Sequence, residues 1–258
     1  MSSMSLHHTY VWALTGIFAA MHMVLTFLPL FVLAGGGGFI SAGVVSAPLI
    51  GFLLGPVYGV VAVVIGSTIG VVLMNVGGIL GPVIPIVAPA VSAFIAGSLG
   101  RGRLTHVVAV YVVGIAAFVV GPIGLIALPY IWLHTALLLL MALFVVPRFR
   151  AHVRALPIPR SGVSVNRLLL PIWFLGFIAV MGDHLVGGTL ATYWFVYVLL
   201  FPPDTIAPFF IAVTVFYPLE RLAVSVVLTL VLASLMGIIS GGQLPLPLYP
   251  EESEPQTS

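Results

Sequence analysis

Long apolar stretches, separated by a few short polar segments, set the pattern of the chain. The polar segments are residues 1–9, 147–167 and 241–258. Apolar runs of roughly 20 residues suit helices that cross a bilayer, whereas strands of a membrane barrel alternate apolar and polar positions over about ten residues. The runs in this chain do not alternate. The pattern therefore predicts an all-α fold, a polytopic membrane helix bundle.

Prolines, glycines and arginines divide the apolar sequence into predicted spans. The run breaks at Gly55-Pro56, because proline cannot continue a hydrogen-bonded helix. Gly121-Pro122 likewise divides the segment between two arginine clusters into a hairpin. We expect six to eight transmembrane helices with kinked or short spans, and a count of eight places them near residues 10–34, 42–54, 57–76, 82–99, 104–121, 123–146, from 168 onward, and 209–239.

The arginines predict the topology. Seven of the eight lie in two loops, one with Arg101 and Arg103 and one spanning 147–167. Loops rich in arginine stay on the cytoplasmic side, so we expect both termini in the cytoplasm of a prokaryote and the chain in its cell membrane. The predicted organisation is a cytoplasmic segment, a single transmembrane domain and a disordered acidic tail, at residues 1–9, 10–240 and 241–258.

Composition excludes several kinds of chemistry. Hydrophobic residues make up 61% of the chain, charged residues 5%, and cysteine and lysine are absent. Disulfides, thiol nucleophiles, Schiff bases and a phosphate-binding loop with lysine are therefore excluded, and any ATP hydrolysis must come from a partner. Ile65-Gly66-Ser67-Thr68 lacks the spacing of intramembrane serine proteases, and no H-E-x-x-H pattern occurs. We expect no enzymatic activity, no cofactor, no metal site and no nucleic-acid binding.

Ionisable side chains within the predicted spans form one cluster, apart from the isolated His22 and His134, for which helix–helix hydrogen bonds are the favoured interpretation. A charge at bilayer depth costs on the order of 3 kcal/mol, so these groups should pair or face water. We expect Asp183 to pair with Arg221 across the last two helices. The pair either fixes the register of two helices or lines a polar binding site. The cluster comprises Asp183, His184, Glu220 and Arg221.

Two further segments are candidate parts of a site. The glycines at 35–38 predict a hinge that crosses a binding mouth, or alternatively a flexible interfacial turn. Asn75 either caps a helix or faces a ligand.

Small residues recur on the first predicted helix. Gly16 and Ala20 are four residues apart, as are Thr15 and Ala19, so each pair lies on one helix face that another helix can approach closely.

Two sequence blocks carry a family resemblance. The glycine-rich loop and Phe39-Ile40-Ser41, followed by LIGFLLGPVYGVVAVVIGSTIG with its Gly51, Gly55, Pro56 and Gly59, resemble the substrate-binding S component of energy-coupling factor (ECF) transporters. The segments MGDHLVGG at 181–188 and YPLERLAVSVV at 217–227 are similar to segments of prokaryotic members of that group. The similar regions cover about half of the chain, whereas the hairpin at 104–146 has no counterpart.

The resemblance implies capture of a vitamin-like micronutrient, with transport powered by a transmembrane T component and a pair of ATPases. By analogy, the loop at 35–41 would close over the substrate and the Gly16/Ala20 face would meet the T component. The implied substrate-binding residues are Gly36, Gly37, Phe39, Ile40, Ser41, Asn75, Asp183, His184, Tyr217, Glu220 and Arg221. The alternative is a non-transporting membrane scaffold whose arginine-rich loop docks a soluble partner.

Overall fold

The protein is a bundle of α-helices with one small β-hairpin. The computed structural model describes residues 3–32, 39–74, 78–145 and 169–240. Within these ranges four helical stretches are long and apolar enough to cross a membrane, and four shorter apolar helices accompany them. The all-α fold is therefore confirmed. The elements are α1 (Ser3–Thr26), β1 (Pro29–Val32), β2 (Phe39–Ser41), α2 (Gly43–Met74), α3 (Ile84–Leu99), α4 (Leu104–Val119), α5 (Trp132–Val145), α6 (Leu169–Tyr193), α7 (Pro203–Val213) and α8 (Tyr217–Ser240).

The first helix ends earlier than the sequence predicts. The predicted span 10–34 is wrong beyond Thr26, because β1 begins at Pro29 and pairs antiparallel with β2. Proline lacks the amide hydrogen that a helix needs and its ring clashes with the carbonyl four residues earlier, so the helix stops before it. The chain thus leaves α1 through a hairpin rather than through a longer helix.

The division of α2 at Gly55 is confirmed. Gly55 has φ 87° and ψ 179°, far from helical values. A methyl group on Gly59 would lie 2.9 Å from Cα of Gly51, whereas residues eight apart in a straight helix are separated by about 12 Å. The arms 43–54 and 56–74 therefore fold back on each other, and the guanidinium group of Arg101 lies against the turn at Gly55.

Close backbone contacts hold α1, α2 and α3 together. A methyl group on Gly51 would meet the backbone of Ala93 in α3, and one on Gly97 would meet the backbone at Pro56. On the other side of α2, a methyl group on Gly66 would lie 2.5 Å from the carbonyl oxygen of Ala19. Helix packing thus sufficiently explains Gly51, Gly59 and Gly66.

Helix α6 is central to the second half of the bundle. It packs against α3, α4 and α8. Two hydroxyls tie its middle turn to its neighbours: Ser92 Oγ of α3 donates to the carbonyl of Ala179 at 3.0 Å, and Tyr111 of α4 donates to that of Ile178 at 2.7 Å. Both donors are buried, so these bonds fix the depth of α6 against α3 and α4.

The break predicted at Gly121-Pro122 is also present. Helix α4 ends at Val119, the intervening turns include a short 3-10 segment at Leu128–Ile131, and α5 follows at once. The connection is longer than the sequence predicts, and it carries Tyr130.

The last predicted span, 209–239, is wrong because two helices occupy it. Helix α7 ends at Val213 and α8 begins at Tyr217. Pro218 explains the break, since its ring would clash with the carbonyl of Thr214 in a continuous helix, whereas proline is favoured in a first turn. Arg221 consequently lies in the second turn of α8, instead of about twelve residues into a long helix.

The close contacts of α2 lead to a stability prediction. Gly51→Ala should lower the yield of folded protein, because its methyl group meets backbone and overpacking of this kind costs about 1–3 kcal/mol. Gly16→Ala is the matched control, since nothing lies within 4 Å of its added methyl group and both changes gain the same helix propensity. Fluorescence-detected size-exclusion chromatography after heating would compare the melting temperatures of the two variants. Equal melting of the two variants would contradict the packing of α2 on α3.

Candidate functional site

The site is built on the middle of α6, where two glycines surround Asp183 and His184. A methyl group on Gly182 would meet Ile95 Cδ1, and one on Gly188 would meet the hydroxyl of Tyr130. These glycines let neighbouring side chains approach the helix closely. The G-D-H-x-x-G-G pattern therefore marks the part of α6 where side chains of other elements pack closely beside its ionisable residues.

Asp183 of α6 and Arg221 of α8 form the ion pair that the sequence predicts. Arg221 Nη1 lies 3.6 Å from Asp183 Oδ2, and the two side chains are only 7% and 14% exposed. Both Nε and Nη1 of Arg221 are buried without a hydrogen-bond partner among the described residues. The guanidinium group is thus neutralised by its counter-ion, but its hydrogen-bonding capacity is not used.

Three rings stack beside the ion pair. The imidazole of His184 lies on the phenol ring of Tyr217, with centroids 4.3 Å apart, and it is nearly parallel to that of His134, at 5.3 Å and 5°. The ring of Tyr130 contacts all three, with its centroid 5.1 Å from that of His184 and the two planes tilted by 36°. The rings of His134, His184 and Tyr217 are therefore packed against one another.

Hydrogen bonds connect the same rings. His134 Nε2 lies 3.2 Å from His184 Nδ1, so one of these two nitrogens carries the proton and the other accepts. The hydroxyl of Tyr130 lies 3.1 Å from His184 Nε2, and that of Tyr217 donates to the backbone carbonyl of Tyr130 at 3.0 Å. We call the whole group the ring–charge cluster: Tyr130, His134, Asp183, His184, Tyr217 and Arg221.

The local sequence explains how α6 and α8 present these side chains. Tyr217 and Arg221 are four residues apart and lie on one face of α8. Asp183 and His184 are adjacent on α6 and point about 100° apart, so one meets Arg221 while the other meets Tyr217. Asp183 and His184 are half-buried, whereas the other members of the ring–charge cluster are buried, so the part of the cluster that reaches the surface belongs to α6.

The remaining predicted site residues do not join this cluster in the described part of the chain. Ser41 instead accepts a hydrogen bond from the backbone N–H of Gly43, and Ile40 packs on the buried apolar cluster shared by α2, α6 and α8. Phe39 lies beside them on β2. Glu220 is half-buried and makes no ion pair with the residues described. Gly36, Gly37 and Asn75 lie outside the described residues.

The predicted partner face of α1 points outward. Gly16 and Ala20 are exposed, and an added methyl group on Gly16 would contact nothing within 4 Å. The neighbouring pair, Thr15 and Ala19, is buried, so the predicted close helix contact is confirmed for that pair.

Sequence reasoning missed Tyr130 and His134 as members of the cluster. His134 makes the helix–helix hydrogen bond favoured for it, but its partner is the predicted site residue His184. Tyr130 was not singled out, although it lies four positions before His134 and therefore on the same side of that segment. The signal was a tyrosine next to a proline, in a break between spans, with a histidine one turn later.

A second polar cluster joins α1 to both arms of α2. His22 Nδ1 lies 2.7 Å from Ser46 Oγ, and its Nε2 lies 2.9 Å from Ser67 Oγ. All three residues are buried and the imidazole uses both nitrogens, so this cluster is satisfied internally. No group of three or more His, Asp or Glu suited to a metal ion occurs among the residues described.

Comparisons with known proteins give one relative. Over 160 residues the chain is 27% identical to an uncharacterized protein of the archaeon Methanocaldococcus jannaschii, a match that covers 62% of this chain and 51% of that protein. The matched region thus spans about half of the relative's length. No protein-family model and no solved structure matches the chain.

The ion pair leads to a prediction about folding. Asp183→Asn should reduce folded yield more than Arg221→Gln, because the first change strands the more buried charge; breaking a buried pair costs about 3–5 kcal/mol. The double variant should recover yield, since neither charge remains unpaired. Glu220→Gln is the control and should melt like the wild type. Single variants with wild-type yield would show that the pair does not stabilise the bundle.

Proposed function

We propose that this chain is the substrate-capture subunit of an ECF-type micronutrient uptake transporter, in the cell membrane of a prokaryote. In this role it binds a small molecule inside the bilayer, while a T component and a pair of ATPases supply the transport step. The observation that carries the proposal is the buried guanidinium group of Arg221, whose Nε and Nη1 have no acceptor among the residues described.

A purely structural ion pair would be expected to satisfy its own donors. Leaving a buried donor without a partner costs about 1–3 kcal/mol, and more for a charged group. A pair kept only to register α6 and α8 would gain by closing from 3.6 Å to hydrogen-bonding distance. A bound ligand with an acceptor oxygen would remove this cost, which favours the binding interpretation over the structural one.

The surroundings of Arg221 also suit a small-molecule site. Such sites are mostly apolar or aromatic, with a few polar groups that orient the ligand. The rings of His134, His184 and Tyr217 supply aromatic surroundings, and Asp183 and His184 are only half-buried. Ionisable residues at bilayer depth are functional by default.

Two features outside the cluster are consistent with the same role. The β1–β2 hairpin joins α1 to α2 next to the predicted glycine loop, and its Phe31 and Ile40 pack on the apolar cluster shared by α2, α6 and α8. The exposed small face of Gly16 and Ala20 suits close approach of a partner helix such as one of a T component.

Native mass spectrometry of the gently solubilised protein tests the binding role. We expect a small-molecule adduct on the wild type and none on the Asp183→Asn, Arg221→Gln double variant, which should fold but lacks the charges that orient the ligand. Glu220→Gln should keep the adduct. A wild-type chain that carries no small molecule and co-purifies only with a soluble protein would favour the scaffold alternative.

Partner docking is tested separately on α1. Gly16→Leu should abolish co-purification with an ATPase pair and T component while retaining the adduct, because the larger side chain blocks close helix approach at an exposed position where an added Cβ meets nothing within 4 Å. Val24→Leu, at another exposed position of α1, is the control. Loss of the adduct in Gly16→Leu, or intact co-purification, would contradict the assignment of this face.

A further inference from the structure

Helix α7 is attached to the rest of the bundle mainly by two apolar side chains. Of its eleven residues, Ala207 and Phe210 are the buried ones. Within the described part of the chain no hydrogen bond or ion pair joins α7 to another helix, whereas every other α-helix has at least one such link. An element with few buried contacts opens at a lower free energy than the core, so α7 should separate before the other helices do.

The buried face of α7 covers Tyr130 of the ring–charge cluster. The ring of Phe210 meets that of Tyr130 edge to face, with centroids 4.9 Å apart, and lies 6.4 Å from that of Phe118 in α4. Tyr130 in turn contacts the other three rings of the cluster. Because Nε and Nη1 of Arg221 are also buried, the cluster is closed in this arrangement. A small molecule can reach these groups only after an element moves.

Breaks in the helical backbone lie at both ends of α7. Before it, the π-helical turn Trp194–Val198 is followed by Leu200 with a φ of 58°, a left-handed conformation in which a leucine is strained. After it, residues 214–216 separate α7 from α8. Changes of φ and ψ in these connections leave the hydrogen bonds inside α7 intact, so the helix can turn as one body. A turn that returns Leu200 to a negative φ also relieves its strain.

We propose that α7 is a hinged lid over the ring–charge cluster. It turns about Leu200 and residues 214–216, uncovers Tyr130, and thereby gives a small molecule access to the cluster. The ion pair between α6 and α8 stays closed during this motion, so opening separates apolar contacts and no charges. This assignment rests on the proposed capture function and specifies the element that opens the site.

Cysteine labelling measures the opening, because the chain has no native cysteine. Ala207→Cys places a thiol on the buried face of α7, and Ala179→Cys places one at a buried alanine of α6; both alanines are 0% exposed. N-ethylmaleimide should modify the first variant at least about tenfold faster on the full chain in detergent, because lid opening exposes position 207 without unfolding the bundle. Mass spectrometry follows both rates, and equal rates would overturn the lid.

Two further changes should move the ratio of these two rates in opposite directions. Phe210→Ala should raise it several-fold by removing the contact with Tyr130, whereas the half-exposed Phe209 is the control and Phe209→Ala should leave it unchanged. Leu200→Asn should lower it several-fold, because asparagine tolerates a φ of 58° and so favours the closed lid. Leu200→Ala, which remains strained there, is its control. An unchanged ratio in Phe210→Ala or Leu200→Asn would overturn the lid or its hinge.

The lid and the capture function can fail separately, because labelling needs no bound molecule. Faster labelling at position 207 without an adduct in native mass spectrometry would support the lid and overturn the capture function. An adduct together with equal labelling rates would overturn the lid alone. Removal of an adduct by prolonged dialysis should speed labelling at position 207 and not at position 179, since an empty site opens more often. No change at position 207 would overturn the connection between α7 and the site.

Discussion

Every polar group buried in this bundle must find its partner within the protein, because an apolar environment supplies no water. Tyr111 and Ser92 meet this constraint by donating to carbonyls of α6, and Tyr193 does so by donating to the carbonyl of Ala117 in α4. His22 meets it with two serines, one on each arm of α2. Each of these bonds joins two elements, so satisfying the constraint also fixes how the helices pack.

Close packing at glycines is a second way in which this apolar sequence, with few polar contacts between helices, holds its helices together. Small residues at a helix contact let the two backbones approach closely. Gly51 and Gly97 provide this for α2 and α3, and Gly66 provides it for α1 and α2. Glycines near Asp183 likewise let Ile95 and Tyr130 pack closely against α6. The same residue type therefore serves helix packing and the cluster around Asp183.

The sequence predicts the parts of this structure that depend on local chemistry. The turn at Gly55-Pro56 follows from the limits of proline and from the φ of 87° that glycine tolerates, and the pairing of Asp183 with Arg221 follows from the rarity of charge in the spans. The β-hairpin was missed because a short apolar run has no period that separates strand from helix. Tyr130 and His134 were missed because only tertiary packing brings them to α6, more than 45 residues along the chain.

The ring–charge cluster holds most of the buried side-chain atoms that lack a hydrogen-bond partner among the described residues; outside it, the Ser98 hydroxyl also lacks one. Elsewhere the fold provides hydroxyl–carbonyl and histidine–serine bonds at buried positions, so it has the means to satisfy a donor when only stability is required. Around Arg221 the fold places a counter-ion at 3.6 Å and aromatic rings, but no hydrogen-bond acceptor for Nε and Nη1 among the described residues. Departures from otherwise consistent local rules are expected where a sequence serves function rather than folding. The unused donors of Arg221 thus distinguish this cluster from the satisfied His22 cluster, although both are polar groups buried among apolar helices.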